Sequence, residues 1–311
     1  MLEDTFVFGA GASARTWRYR LQRCAGCGLG RLQPPPDDET LDALYSGEYG
    51  AYAPPPHRPW LRRAKIGVAQ VAARAHWPRR GSLLTPAASA ITRTVELVGA
   101  RTVPLSTSYP LSLSPTAAIL DFGCGWGWWL REVRRAGYVN LWGLDREHAG
   151  LARLRQEGFH AISGDLRALP AAAFDCIRLE HVLEHIRDPG ELLRGLVPAL
   201  RPGGMIVATV PDFASEGARQ LGRQWPALCL PHHLSHFTST SLRLVCRAAG
   251  LEVIREQSLP VWEAAQGPDR PRPSWRARVK YHAEARRQAR GDYLSVCLAT
   301  NPSSPRPPMP S

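Results

Sequence analysis

The run Ala118-Ile119-Leu120-Asp121-Phe122-Gly123-Cys124-Gly125-Trp126-Gly127 constrains this chain more than any other. Ile119, Leu120 and Phe122 suit a central strand of a sheet covered by helices, because such strands are apolar on both faces. Three alternate glycines then break the strand, and a helix is expected from Trp128 to Ala136. Glycine lets the backbone turn sharply and approach a ligand with no side chain in the way. A strand, a glycine turn and a helix in that order put a nucleotide-type pocket at the carboxyl end of the first strand of a doubly wound sheet. A dinucleotide fingerprint G-x-G-x-x-G starting at Gly123 would need its third glycine at position 128, which is Trp128, so the spacing argues against a pyrophosphate loop.

The next elements follow in register. Val139 to Asp145 reads as a second strand ending in an acid, placed to accept hydrogen bonds from the two ribose hydroxyls of an adenosine. Ala161 to Ser163 is a third apolar run closed by Gly164-Asp165-Leu166, where an acid can take an adenine amino group. Phe174 to Leu179 gives a fourth strand, which opens into Glu180-His181-Val182-Leu183-Glu184-His185-Ile186-Arg187-Asp188-Pro189. Leu200 to Pro211 reads as a helix exit, a Pro-Gly-Gly turn and a fifth strand.

In this order the motifs closely resemble those of the class I S-adenosylmethionine-dependent methyltransferases. A bacterial subgroup of that family carries the strings hVLEHi-x-DP, LRPGG, fG-x-x-W and P-x-HL, behind an N-terminal zinc-knuckle segment. Here these stand as His181 to Pro189, Leu200 to Gly204, Leu221 to Trp225 and Pro231 to Leu234, and the resemblance runs from about Ala117 to Thr300. It implies an α/β fold: a doubly wound, Rossmann-like, seven-stranded sheet with an antiparallel last strand, plus a small irregular or helical N-terminal appendage. The sixth strand is expected at Leu251 to Gln257 after a helix over Ser239 to Ala249, and the last at Asp292 to Thr300, between the fifth and sixth.

The resemblance also implies site roles. Gly123, Gly125 and Gly127 would form the floor under the cofactor, S-adenosylmethionine. Asp145 would bind its ribose, Asp165 with Leu166 its adenine, and Leu179 with Glu180 its methionine end; Asp121 would order the glycine loop or meet the amino group. Neutral imidazole is a natural base near pH 7. His181 follows the fourth strand, where class I enzymes often present acceptor-side groups, and His233 fills the P-x-HL position on a segment expected to cover the substrate; these two are the candidate catalytic bases. His185, His232 and His236 also fall near the pocket mouth, with His185 read as a structural tie between its helix and a neighbouring loop. His181-x-x-Glu184-His185 matches the H-x-x-E-H pattern of inverted zinc peptidases, but its place directly after a buried strand argues against that reading.

The remaining composition narrows partners. The formal charge of +12 over 311 residues is carried almost wholly by arginine, with lysine only at 65 and 280, and no long Lys/Arg run or recognised nucleic-acid motif is present. That pattern argues for a solvated basic surface and against nucleic acid. Seven scattered cysteines, an odd number mostly within apolar runs, read as reduced thiols rather than a disulfide framework. With no apolar leader and no run approaching ~20 apolar residues, a cytoplasmic location is expected.

Four regions are expected: a degenerate zinc-knuckle-like segment (1–58), a helical lid or linker (59–116), the methyltransferase domain (117–300) and a disordered tail (301–311). Cys24-x-x-Cys27-Gly28 is half of a zinc knuckle; structural zinc needs four ligands, and residues 1–23 hold no Cys or His, so a metal-free knuckle is expected and no other metal site. Asp38 to Tyr45 reads as a short helix, Trp60 to His76 as an amphipathic helix suited to peripheral membrane contact or to covering the sheet, and Pro86 to Val98 as a further helix. The functional expectation is methyl transfer to a small or medium-sized acceptor, a hydroxyl of a sugar, lipid-linked or secondary-metabolite substrate. A non-catalytic S-adenosylmethionine-binding or partner-binding module, and an RNA methyltransferase, are the alternatives. The oligomeric state is not encoded in these motifs.

Overall fold

The structure, a computed structural model, describes residues 2–8, 15–45, 113–146, 149–259 and 291–300. The expected helices at 60–76 and 86–98 and the tail 301–311 lie outside the described residues.

The main sheet is built on β4 (Ile119–Phe122), β5 (Leu141–Asp145), β6 (His160–Ser163), β7 (Phe174–Glu180), β8 (Leu200–Pro211), β10 (Leu251–Leu259) and β11 (Tyr293–Thr300). Its order is β10-β11-β8-β7-β4-β5-β6, with β11 antiparallel to both of its neighbours. This is the doubly wound, seven-stranded arrangement expected from the sequence. The order reverses at β4, whose two neighbours are β5 and β7, and open α/β sheets bind ligands outside the carboxyl ends of the strands at such a switch point.

Alternation along the central strands divides the core. Successive side chains of a strand point to opposite faces. Ile119 and Cys176 join the layer formed by α2 (Trp128–Arg135) and α3 (Ala149–Gln156), with Trp129, Leu130, Leu151 and Leu154. Their neighbours Leu120 and Ile177 join the opposite layer, under α4 (Pro189–Leu196) and α6 (Ser239–Ala248), with Leu193, Leu196, Leu242 and Cys246. Both layers reach zero exposure at several positions, as a sheet sandwiched by helices requires.

The Pro202-Gly203-Gly204 segment differs from expectation. It is not a turn before the fifth strand but a bulge inside it. Between the pairs Phe174–Leu200 and Cys176–Met205, β7 advances by two residues and β8 by five. Gly204 must be glycine there, because a Cβ would stand 2.8 Å from the Phe174 carbonyl oxygen.

The N-terminal appendage also differs. Beside the helix expected at Asp38–Tyr45 it forms a four-stranded antiparallel sheet, ordered β1 (Leu2–Phe8), β2 (Arg15–Arg23), β3 (Gly30–Gln33) and β9 (Ser235–His236). Trp17, Tyr19 and Leu21 alternate inward from β2 and pack with Leu32, Leu44 of α1 (Asp38–Tyr45), Trp225, Leu228 and Leu234. The third and fourth strands are too short to show a period, and β9 comes from the far side of the catalytic sheet in sequence. Through β9 and the Leu32 amide on the Leu234 carbonyl at 3.1 Å, the appendage is stitched to the segment that follows β8. Among the described residues no helix is long and apolar enough to cross a membrane.

Candidate active site

At the switch point the chain leaves β4 through Gly123, Gly125 and Gly127, all with positive φ. The Gly123 and Cys124 amides donate to the Leu144 carbonyl at 2.7 and 3.1 Å, and the Gly125 amide donates to Asp145 Oδ2 at 2.6 Å. The other Asp145 oxygen accepts from the Arg146 amide at 2.7 Å. The role of ordering the glycine loop, which the sequence offered to Asp121, is therefore held by Asp145. Asp121 is turned inward and bonded to Arg178 Nη1 at 2.7 Å; the same guanidinium reaches Glu180 at 3.3 Å and lies over the Trp129 ring at 4.4 Å. Burial raises the Asp121 pKa, against the downward pull of Arg178.

A cavity of about 360 Å³ opens over these strand ends, in the range of small-molecule sites. One side is Phe122, Gly123, Gly125, Asp145, Gly164 and Asp165; the other is His181, Val182 and His185; Leu41 and Tyr45 of α1 close over it. Asp38 and Asp42 of α1 pair with Arg187 and Arg146, which fastens the appendage across the opening.

The expected site residues divide on this geometry. Gly123, Gly125, Asp145, Asp165 and His181 meet at the cavity. Asp165 is exposed, caps a short turn through the Arg167 amide at 2.9 Å, and pairs with the Arg167 side chain, whose hydrogen bonds lower its pKa. Gly127 does not line this cavity: it stands at the start of α2, where a Cβ would press into Leu154 of α3, so its small size serves helix packing. The side chain of Leu166 lies against Gly195 of α4, that of Leu179 is fully buried in the core, and Glu180 is held by Arg178.

The two candidate bases separate as well. His181 sits at the exit of β7 with φ +53, a conformation uncommon for a non-glycine residue, and its side chain remains a third exposed at the cavity. Its Nδ1 is 2.9 Å from Glu184 Oε1. Burial pulls the His181 pKa down, but the hydrogen bond and charge of Glu184 outweigh it, and the net shift is upward. His233 does not line the cavity. It is buried, donates from Nδ1 to the Ala227 carbonyl at 2.9 Å, and burial pushes its pKa down to about 3. His185 ties its turn to the neighbouring loop as expected, through the His232 carbonyl at 3.1 Å and the Tyr45 hydroxyl at 3.0 Å.

Sequence reasoning missed Arg178 and Glu184. Arg178 carried a readable signal, a cation inside an otherwise apolar buried strand, which requires a partner. Glu184 is 1% exposed and lies at the centre of the histidines. Burial would raise its pKa, but the His181 hydrogen bond and charge prevail and hold it well below the usual carboxylate range. Cys24 and Cys27 frame a tight turn, with the Gly28 amide on the Cys24 carbonyl at 2.9 Å.

A family model described as a methyltransferase domain matches residues 99–256, half of the chain. The chain belongs to that family. It is a Rossmann-like methyltransferase-domain protein, of the kind whose methyl donor is S-adenosylmethionine. It is 35% identical over 114 residues to a 37.1 kDa transposon protein of Streptomyces fradiae, covering 34% of this chain and 33% of that protein. It is 30% identical over 163 residues to the malonyl-[acyl-carrier protein] O-methyltransferase of Serratia marcescens, covering 51% and 61%. It is 31% identical over 188 residues to the ubiquinone biosynthesis O-methyltransferase of Xanthomonas axonopodis pv. citri, covering 56% and 77%. The methyltransferase-domain chain thus spans from a third to about three-quarters of these relatives.

Proposed function

We propose that the chain transfers a methyl group from S-adenosylmethionine to a hydroxyl of a small or medium-sized acceptor, with a sugar, lipid-linked or secondary-metabolite substrate as its class. The observation that carries this reading is the single cavity with the glycine loop and Asp145 on one side and the His181–Glu184 pair on the other. Two relatives are named O-methyltransferases, which supports oxygen as the methylated atom.

In this reading Gly123 and Gly125 let the cofactor approach the backbone, Asp145 takes the ribose and Asp165 the adenine side. The sulfonium methyl is already activated, so the protein has mainly to hold the acceptor at attack distance; such orientation supplies roughly 7–11 kcal/mol of a barrier. Glu184 accepts from His181 Nδ1–H and leaves Nε2 to take the acceptor proton. The acceptor oxygen then bonds to the methyl carbon, the carbon–sulfur bond breaks, and S-adenosylhomocysteine leaves with the electron pair on sulfur. A base of this kind contributes about 10²–10⁴-fold. Residues 117–300 form the catalytic domain in this scheme, and α1 roofs the site.

The test is to incubate the full chain with S-adenosylmethionine and a panel of free sugars, lipid-linked sugars and phenolic metabolites, and to measure S-adenosylhomocysteine release and the methylated atom. Acceptor-dependent release with an O-methyl product is expected. An N- or C-methyl product would overturn the hydroxyl assignment, and release only with RNA would overturn the small-acceptor reading.

A further inference from the structure

We infer that Cys24 and Cys27 form a reversible dithiol–disulfide site, in which Cys24 attacks a low-molecular-weight disulfide of the glutathione class and Cys27 resolves the product. Both thiols are free, with Cys24 exposed and Cys27 half-buried. The turn that carries them is closed at both ends. The Cys24 amide donates to the Leu29 carbonyl at 2.8 Å, and the Gly28 amide donates to the Cys24 carbonyl at 2.9 Å. Such a turn is one helical turn that is not continued, and residues three apart stand side by side in it. A disulfide needs Cα atoms about 4.4–6.8 Å apart, a span that this placement of positions 24 and 27 suits. The Cys24 sulfur lies over the turn itself, since a Cβ on Gly26 would stand 4.0 Å from it.

The surroundings of Cys24 set it apart from the other cysteines. The Cys27 and Gly26 amides, and after them the Cys27 thiol, hold the Cys24 thiol below its ordinary pKa. Donors placed in this way stabilise the thiolate, which is the attacking species. Cys124, Cys176, Cys246 and Cys297 are buried, and burial pushes their thiols up, to about 12 at Cys176 and Cys246. Cys229 is exposed, but the nearest cysteine to it in sequence is the buried Cys246. An accessible thiol that favours its anion, with a second thiol beside it, is the arrangement of redox-sensing cysteines rather than of structural ones.

The step balances with the small disulfide as oxidant. The Cys24 thiolate bonds to one of its sulfurs, its sulfur–sulfur bond breaks, and one small thiol leaves. Cys27 then bonds to the Cys24 sulfur, the mixed disulfide breaks, and the second small thiol leaves. The two protons of the cysteines pass to the two departing thiolates, so the protein loses two electrons and the small disulfide gains them. The turn is keyed to the catalytic domain by the Thr238 hydroxyl at the head of α6, which donates to the Cys27 carbonyl at 2.8 Å. Exchange at the sulfurs leaves that bond in place. No residue of the methyl-transfer cavity takes part, so the site stands or falls independently of the methyl-transfer reading.

The test is to expose the reduced, folded full chain to glutathione disulfide, quench in acid, alkylate the remaining thiols and locate every modified cysteine by peptide mass spectrometry. One intramolecular Cys24–Cys27 disulfide is expected, reversed by excess reduced glutathione. Cys27→Ser should stop at a single glutathione on Cys24. Cys24→Ser should react at least ~10-fold more slowly, because the stabilised thiolate is gone. If either variant fails to fold, the wild-type linkage and its reversal still decide the matter. Folded wild-type protein that forms no 24–27 linkage would overturn the site. So would a glutathione placed on Cys229 in preference to Cys24 in Cys27→Ser, or an undiminished rate in Cys24→Ser.

Discussion

The Gly125 amide donates to Asp145 Oδ2 at 2.6 Å, so the acid that ends β5 also fixes the loop that leaves β4. Two strands that meet at the switch point are locked at their carboxyl ends by one side chain, and the cavity floor is shaped before any ligand arrives. Preorganisation of that kind lowers the ordering cost of binding.

Gly127 is set by packing and backbone together. Its φ is +64, and a Cβ would press into the fully buried side chain of Leu154 of α3. Gly127→Ala should destabilise the fold by about 2–4 kcal/mol, combining left-handed strain with overcrowding. Denaturant melts would measure it; a loss below about 0.5 kcal/mol would contradict the packing role.

Arg178 neutralises two acids inside the sheet, Asp121 at 2.7 Å and Glu180 at 3.3 Å. Arg178→Leu leaves Asp121 buried without its cation and should cost about 3–5 kcal/mol. Adding Asp121→Asn should recover part of the loss, and a double-variant cycle on chemical denaturation reads the coupling.

Glu157 joins α2 to α3 by accepting from Arg131 at 2.6 Å and Arg153 at 3.0 Å. The Arg131 hydrogen bond leads the causes that lower its pKa. A lowered folded-state pKa adds stability above the unfolded value of ~4.3, and that stability disappears as pH falls through the folded value. Glu157→Gln should therefore lower stability by about 0.5–1 kcal/mol near pH 7, with the gap to wild type closing in acid. Thermal melts from pH 7 to pH 3 check this; a gap that widens in acid would contradict it.

His181 and His233 should behave differently when removed. His181→Ala should keep S-adenosylhomocysteine affinity within a few-fold and slow turnover by about 10²–10⁴-fold. His233→Ala should act through stability, because it removes a buried ring that bonds the Ala227 carbonyl at 2.9 Å. Calorimetry beside a turnover assay separates the two variants, and loss of cofactor affinity in His181→Ala would contradict its acceptor-side role.

What the sequence revealed follows from periodicity and local chemistry. β4, β5, β7 and β11 were legible because apolar residues dominate them, and the glycine loop because three alternate glycines have few other uses. The appendage was misread because β3 and β9 are four and two residues long, and their pairing joins positions some two hundred residues apart, where no local pattern can point. The ordering of the glycine loop was offered to Asp121 rather than to Asp145 for a similar reason. Both end buried strands, and only the three-dimensional placement of Arg178 shows which one faces inward. The family resemblance gathered the five histidines to one region, but ranking them needed burial and the partner of each ring nitrogen.

The central claim, a nucleoside pocket built by the glycine loop and Asp145, is tested most directly by titrating the purified chain with S-adenosylhomocysteine in a calorimeter beside Asp145→Ala. Micromolar binding by the wild type, lost in the folded variant, is the predicted result. A well-folded wild-type protein that releases no heat and binds no S-adenosylhomocysteine would contradict it.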